Sequence, residues 1–215
     1  MRQLFSRWVG LMLLCGVGGA VTLGAPRPAV ASVLNKLTLA ELAGRADRAL
    51  VGTVEDVHSR LLGDGGPIVT DVRIRCTREL LGVPAGAVLT VRHLGGEVGE
   101  LGQKVFGEAS YRVGEEVLVL AEERSAAFYA VGMAQGALHI ERDANSGERR
   151  VHVDLSGAEL QAPTAVSSEP TANGVNVETI IGQLQSLLAP KRAAGQRGAT
   201  SPSSAPAKPA SKGGQ

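Results

Sequence analysis

Ile68-Val69-Thr70-Asp71-Val72-Arg73-Ile74-Arg75-Cys76-Thr77 is the stretch on which the fold turns. Ile68, Thr70, Val72, Ile74 and Cys76 alternate with Val69, Asp71, Arg73, Arg75 and Thr77. Successive side chains of a strand point to opposite faces. A period of two therefore predicts a half-buried strand with the first set turned inward. Just before it, Gly63-Asp64-Gly65-Gly66-Pro67 is a turn cluster. Before that, Arg48–Arg60, carrying Leu50, Val51, Val54 and Val57, reads as the partner strand of a long hairpin. Further back, Thr38 and Glu41 fit a capping box ahead of Leu39, Leu42 and Ala43, which predicts a short helix ending near Ala46.

Strands also follow the quoted stretch. After a break at Gly82-Val83-Pro84-Ala85-Gly86, Val88–His93 places Leu89 and Val91 on one face. Glu115–Ala121 contains Val117, Leu118, Val119 and Leu120, apolar on both faces, as a central strand requires. Phe128–Met133 and Ala137–Arg142 read as a second hairpin, and Asn145-Ser146-Gly147 turns the chain into a last strand near Arg149–Leu155. Residues 156–175 have the Ser, Pro, Thr and Ala content of a linker. Val177, Ile180, Ile181, Leu184, Leu187 and Leu188 recur at helical spacing, predicting an amphipathic helix over 176–189 that stops at Pro190. It is expected to pack on the strands, with a partner or membrane helix as its alternative. Six or seven short strands with Gly-rich turns predict a mainly β, small antiparallel barrel over 32–155, with a helix at each end.

The N-terminus predicts export. Arg2 and Arg7 precede an uncharged stretch from Trp8 to Gly24, then Pro26, Pro28 and the small-residue pattern Ala29-Val30-Ala31. Residues 1–31 thus read as a cleaved signal peptide. They contain no Arg-Arg pair, which favours the general secretory route to the periplasm or the medium. Leu13 and Leu14 ahead of Cys15 argue against a lipoprotein. Cleavage would remove three of the 22 basic residues and none of the 21 acids, leaving 19 against 21 and a net charge of −2. Cys76 would then be a lone thiol, with no intramolecular disulfide. No later segment approaches the length of a membrane span. Residues 190–215 carry Lys191, Arg192, Arg197, Lys208 and Lys212 and no acid, the composition of a disordered basic tail; one use for it would be loose attachment to an anionic surface.

Several motifs resemble a known group. Ala46–Val57 resembles the opening strand of a family of secreted bacterial proteins met in myxobacteria, which carries no established activity. The likeness extends to Thr70-Asp71-Val72, Gly95–Val98, Val113–Val117 and Val131–Gly136, covering about residues 38–142. A more distant similarity is to the netrin-like modules of tissue metalloprotease inhibitors. Val51, Gly52 and Val54 in a first strand, Glu79–Gly82 at a strand end and Gly114–Val119 carry it. It implies an OB-like barrel. Those inhibitors chelate the protease metal through an N-terminal Cys, whereas cleavage here would expose Ser32, so their chemistry does not follow.

Residues 94–110, with five glycines and three acids, form the segment best suited to a site. Glu97, Glu100, Gln103, Lys104 and Phe106 are the ligand-binding candidates. The alternative is a cover whose Val98, Leu101, Val105 and Phe106 plug the core. His93, Glu97, Glu100 and His139 are metal candidates only if the fold gathers them, because no paired metal motif is present. His58 and His152 read as exposed strand residues, and Cys76 as a buried, inert thiol. Neither a phosphate loop nor a Gly-x-Ser-x-Gly elbow occurs, and no cofactor is implied. Nucleic acid is disfavoured by the net charge of −7 over residues 32–189 and by their two Tyr and two Phe. The expectation is a secreted, non-catalytic binding module for a protein or polysaccharide partner. The alternatives are a protease inhibitor-like module and a small hydrolase using the loop acids.

Overall fold

The computed structural model describes residues 33–144, 146–161 and 173–199. The expected signal peptide, most of the expected linker and residues 200–215 lie outside the described residues. The elements run β1 (Val33–Asn35), α1 (Leu39–Arg45), β2 (Arg48–Leu61), β3 (Ile68–Leu81), β4 (Val88–Leu94), β5 (Gly96–Val98) and β6 (Leu101–Gln103). They continue with β7 (Glu116–Arg124), β8 (Ala127–Ala130), β9 (Ala137–Arg142), β10 (Arg149–His152), β11 (Glu159–Gln161) and α2 (Val177–Ala199).

β2 and β3 form the expected long hairpin, paired from Ala49↔Leu81 to Leu61↔Ile68. On β3, Ile68, Thr70, Val72, Ile74 and Cys76 are all buried, while Arg73, Arg75 and Thr77 are exposed. The alternation therefore reports the strand and its faces correctly, except that Val69 is buried as well. The hairpin is the middle of a seven-stranded sheet of order β10-β9-β7-β2-β3-β4-β8. β7 has core on both sides. Leu118 and Leu120 join Leu42, Leu138, Ile181 and Leu184 under the two helices. Val117 and Val119 join Leu50, Val72, Ile74 and Val91 on the opposite face.

The sheet curls until β8 meets strands on both sides. It pairs antiparallel with β7 from Ala121↔Ala130 to Arg124↔Ala127, but parallel with β4 at Val91↔Phe128 alone. The ring is not evenly closed, and this seam departs from the all-antiparallel expectation. The expected hairpin of 128–133 with 137–142 is also corrected. β8 and β9 both pair with β7, one after the other, and not with each other. The turn that reverses the chain is Ser125-Ala126, at φ 50° and 61°. Two positive φ values suit the twist of a tight hairpin, but Ser-Ala does not advertise them as Asn-Gly would.

α1 begins as predicted, with both bonds of the Thr38–Glu41 capping box present and Ala46 as its C-cap. α2 does not stop at Pro190 but runs on to Ala199, which corrects the expectation of a disordered tail over 190–199. Proline removes one N–H from the ladder. Contacts beyond it hold the helix in place: Lys191 Nζ donates to Gly44 O at 2.6 Å and Ala46 O at 2.7 Å, satisfying carbonyls at the end of α1. The expected linker also holds structure, since β11 pairs in parallel with β1. Gln135, buried in a 3-10 turn, steadies the approach to α1. Its Oε1 accepts from Leu37 N, and its Nε2 donates to Asn35 O. No helix among the described residues is long and apolar enough to cross a membrane.

Candidate ligand cleft

The Gly-rich segment is a small hairpin rather than an open loop. β5 and β6 pair from Gly96↔Gln103 to Val98↔Leu101, and Gly99 and Glu100 make the turn. Its root is fastened to β3. Gly95 N donates to Ile68 O, Thr70 Oγ1 donates to Gly95 O at 2.7 Å, and Ile68 N donates to Gln103 Oε1 at 2.8 Å. Thr70 in turn shares a hydrogen bond with Ser59 at 2.8 Å. Gly95 and Gly96 take φ of 92° and 131°, which a side chain rarely tolerates. This is the physical reason for the glycine content.

The hairpin does not plug the core. Leu101 is 58% exposed and Phe106 44% exposed, which corrects that expectation. Between the hairpin and the sheet lies a cleft of about 460 Å³. That is within the range of small-molecule clefts, roughly 300–1,000 Å³. Glu97, Gln103 and Lys104 line it, as does His93. Glu100 and Phe106 do not. Glu100 sits exposed in the turn, and Phe106 carries the Lys104 ammonium 5.4 Å from its ring centre. Glu108 and Tyr111 also line the cleft, and the sequence did not single them out as binding residues. Tyr111 lies between strands, where no periodicity reports burial.

Tyr111 is the best-defined group in the cleft. It is 8% exposed, and its ring contacts those of His93 at 5.9 Å and His139 at 6.2 Å. Among the described residues its buried hydroxyl has no hydrogen-bond partner, nor has His139 Nε2. Burial pushes the phenol far above its ordinary pKa, so it stays protonated. Burial pushes the His93 imidazole below its ordinary value, so it is neutral at pH 7. His93 Nδ1 lies 3.1 Å from Leu94 O, and His139 Nδ1 lies 3.3 Å from Glu115 Oε2. A carbonyl oxygen only accepts, so His93 Nδ1 carries the proton and its Nε2 is an acceptor. The metal candidates are not gathered. No group of three or more His, Cys, Asp or Glu among the described residues is placed to hold an ion. Cys76 is buried, its Sγ donating to Val83 O at 3.2 Å, and burial raises its pKa. His58 and His152 are exposed, as expected.

No protein-family model matches the chain, and no curated protein matches it. The chemistry of the cleft must therefore be read from its own groups.

Glu108 is the cleft acid with a displaced titration. Burial raises its carboxyl above 4.5, against smaller opposing effects of hydrogen bonds with the Leu94 and Ala109 backbone. A raised folded pKa means the fold favours the neutral acid. The stability this contributes is complete below 4.5 and is lost as pH rises from 4.5 through the folded pKa. Glu108→Gln keeps an acceptor and removes the charge. It is expected to raise the melting temperature at pH 7 by a few degrees and to flatten that loss. Thermal unfolding at pH 4 and pH 7 checks it; a lower melting temperature at pH 7 would mean that the carboxylate is needed.

Proposed function

We propose that this chain is an exported, non-catalytic binding module. In this reading it is a small OB-like barrel whose β5–β6 hairpin and adjoining cleft hold a protein or polysaccharide partner. The observation that carries the reading is the position of the hairpin. It stands on a glycine-permitted, hydrogen-bonded root, with exposed Leu94, Leu101 and Phe106 beside a cleft lined by both apolar and polar groups. Apolar side chains left in water beside a concave surface are what a partner's arrival would cover. The curl of the sheet through β8 supports a barrel-like ground plan, and OB-type barrels bind ligands on a strand face and its adjoining loops. The N-terminal Arg2, the apolar stretch and Ala29-Val30-Ala31 support export.

The test is capture of partners from culture supernatant, by the wild-type chain and by Leu101→Ser/Phe106→Ser. Both side chains are largely exposed, so folding should be little changed, within about 0.5 kcal/mol. Partner recovery is expected to fall at least about tenfold, the effect of roughly 1.4 kcal/mol. Equal recovery by the two proteins would remove the hairpin from the binding surface.

A further inference from the structure

Resting on that reading, we propose that the cleft takes an uncharged, hydroxyl-rich ligand, one or two units of a neutral polysaccharide, with the Tyr111 hydroxyl as its innermost hydrogen-bonding group. The cleft offers both kinds of hydrogen-bonding group. Tyr111 can donate and accept, and among the described residues its hydroxyl has no partner although it is buried. Gln103 spends its oxygen on Ile68 N and keeps its amide hydrogens as donors. His93, with Nδ1 committed to Leu94 O, keeps Nε2 as an acceptor. A sugar hydroxyl both donates and accepts, so it matches such a mixed set. An anion would meet Glu97 and Glu108 against Lys104 alone, and no group of acids and imidazoles among the described residues is gathered to hold a metal cation. Gly95, Gly96 and Gly102 in the lining let a ligand approach the backbone closely. An extended protein segment fits less well, because its own amides and carbonyls would meet few backbone groups here beyond the small hairpin.

An unpartnered buried hydroxyl costs the free protein stability. This separates a ligand-binding Tyr111 from a structural one. Tyr111→Phe is expected to keep or raise the melting temperature and to weaken binding about five- to tenfold, the range for one neutral hydrogen bond. A structural hydroxyl would behave in the opposite way. Gly102→Phe supplies a second variant. A Cβ at Gly102 meets nothing nearer than Glu97 Cγ at 3.9 Å, so the chain can accept a side chain there, and because Gly102 lines the cleft the added ring is expected to obstruct it.

The experiment is calorimetric titration of the wild type, Tyr111→Phe and Gly102→Phe. The probes are cellotetraose, maltotetraose and chitotetraose, with trigalacturonate as an anionic control. Binding of at least one neutral tetrasaccharide in preference to trigalacturonate, weakened by Tyr111→Phe and abolished by Gly102→Phe, supports the proposal. Silence across the neutral probes overturns it, and so does a Tyr111→Phe protein that melts earlier and binds unchanged. If the probes are silent while Leu101→Ser/Phe106→Ser still loses a captured protein, the saccharide inference fails and the hairpin reading stands. If capture is also unaffected, both fail.

Discussion

Gly96→Val is expected to destabilise the protein by about 2–5 kcal/mol and to abolish partner capture, because it displaces the hairpin root that forms the cleft wall. Two independent costs add at this residue. Its φ of 131° is one that a β-branched residue rarely adopts. In addition, a Cβ built on Gly96 falls well inside contact distance of Thr70 Oγ1 and Ser59 Oγ, and close to Ser59 Cβ. Those two hydroxyls hydrogen-bond each other, and Thr70 also holds Gly95 O, so neither can withdraw without breaking the root. Gly99 is the internal control. It also has positive φ, at 60°, but nothing lies within 4 Å of its would-be Cβ. Gly99→Asn should cost little, since Asn tolerates that region better than most residues. Urea unfolding of the two variants measures the difference. Equal midpoints would show that the root is not constrained as described.

This hairpin also shows where sequence reading stops. Ile68–Thr77 announces itself, because alternation is a local property of a strand with one buried face. The capping box does so too, since its partners are three residues apart. Gly95–Gln103 does not. β5 and β6 span only three residues each, glycine lowers their strand propensity, and their register depends on bonds to Ile68, far back in the chain. The glycines rightly drew attention to the segment, and three of the five binding candidates line the cleft. Glu100 and Phe106 miss it because the turn at Gly99 and Glu100 and the bend at Gly107 send them outward. Tyr111 could not be chosen from sequence, since its ring packs on His93 of β4 and His139 of β9 from a segment without periodicity, and Glu108 lies in the same irregular segment. β11 escaped notice for a similar reason, as its partner β1 is the most distant strand in the chain.

The second large effect is expected at α2. Leu184→Ala should cost about 2–5 kcal/mol, the range for deleting a buried leucine and leaving a cavity, and should lower one global unfolding midpoint. Leu184 is fully buried with Ile181 and Leu188, against Leu118, Leu138 and Val51 of the sheet. The helix is also tied at its edges. Glu178 pairs with Arg78 at 2.7 Å and Arg149 at 3.5 Å, and Lys191 closes the end of α1. The exposed ion pairs contribute little compared with the buried leucine. The sequence allowed two readings of this helix, packed on the strands or held out to a partner or membrane, and the two predict different outcomes for the same substitution. If α2 belongs to the core, the sheet loses stability with it, and circular dichroism bands of helix and strand shift together in urea. If it were a detachable arm, the helical signal would melt early and the strand signal would stay. Leu187→Ala sets the scale. At 40% exposure it opens no comparable cavity, and its cost should stay near 0.5 kcal/mol or about one step above it. A Leu187 effect as large as that of Leu184 would indicate that the helix buries a different face from the one seen here.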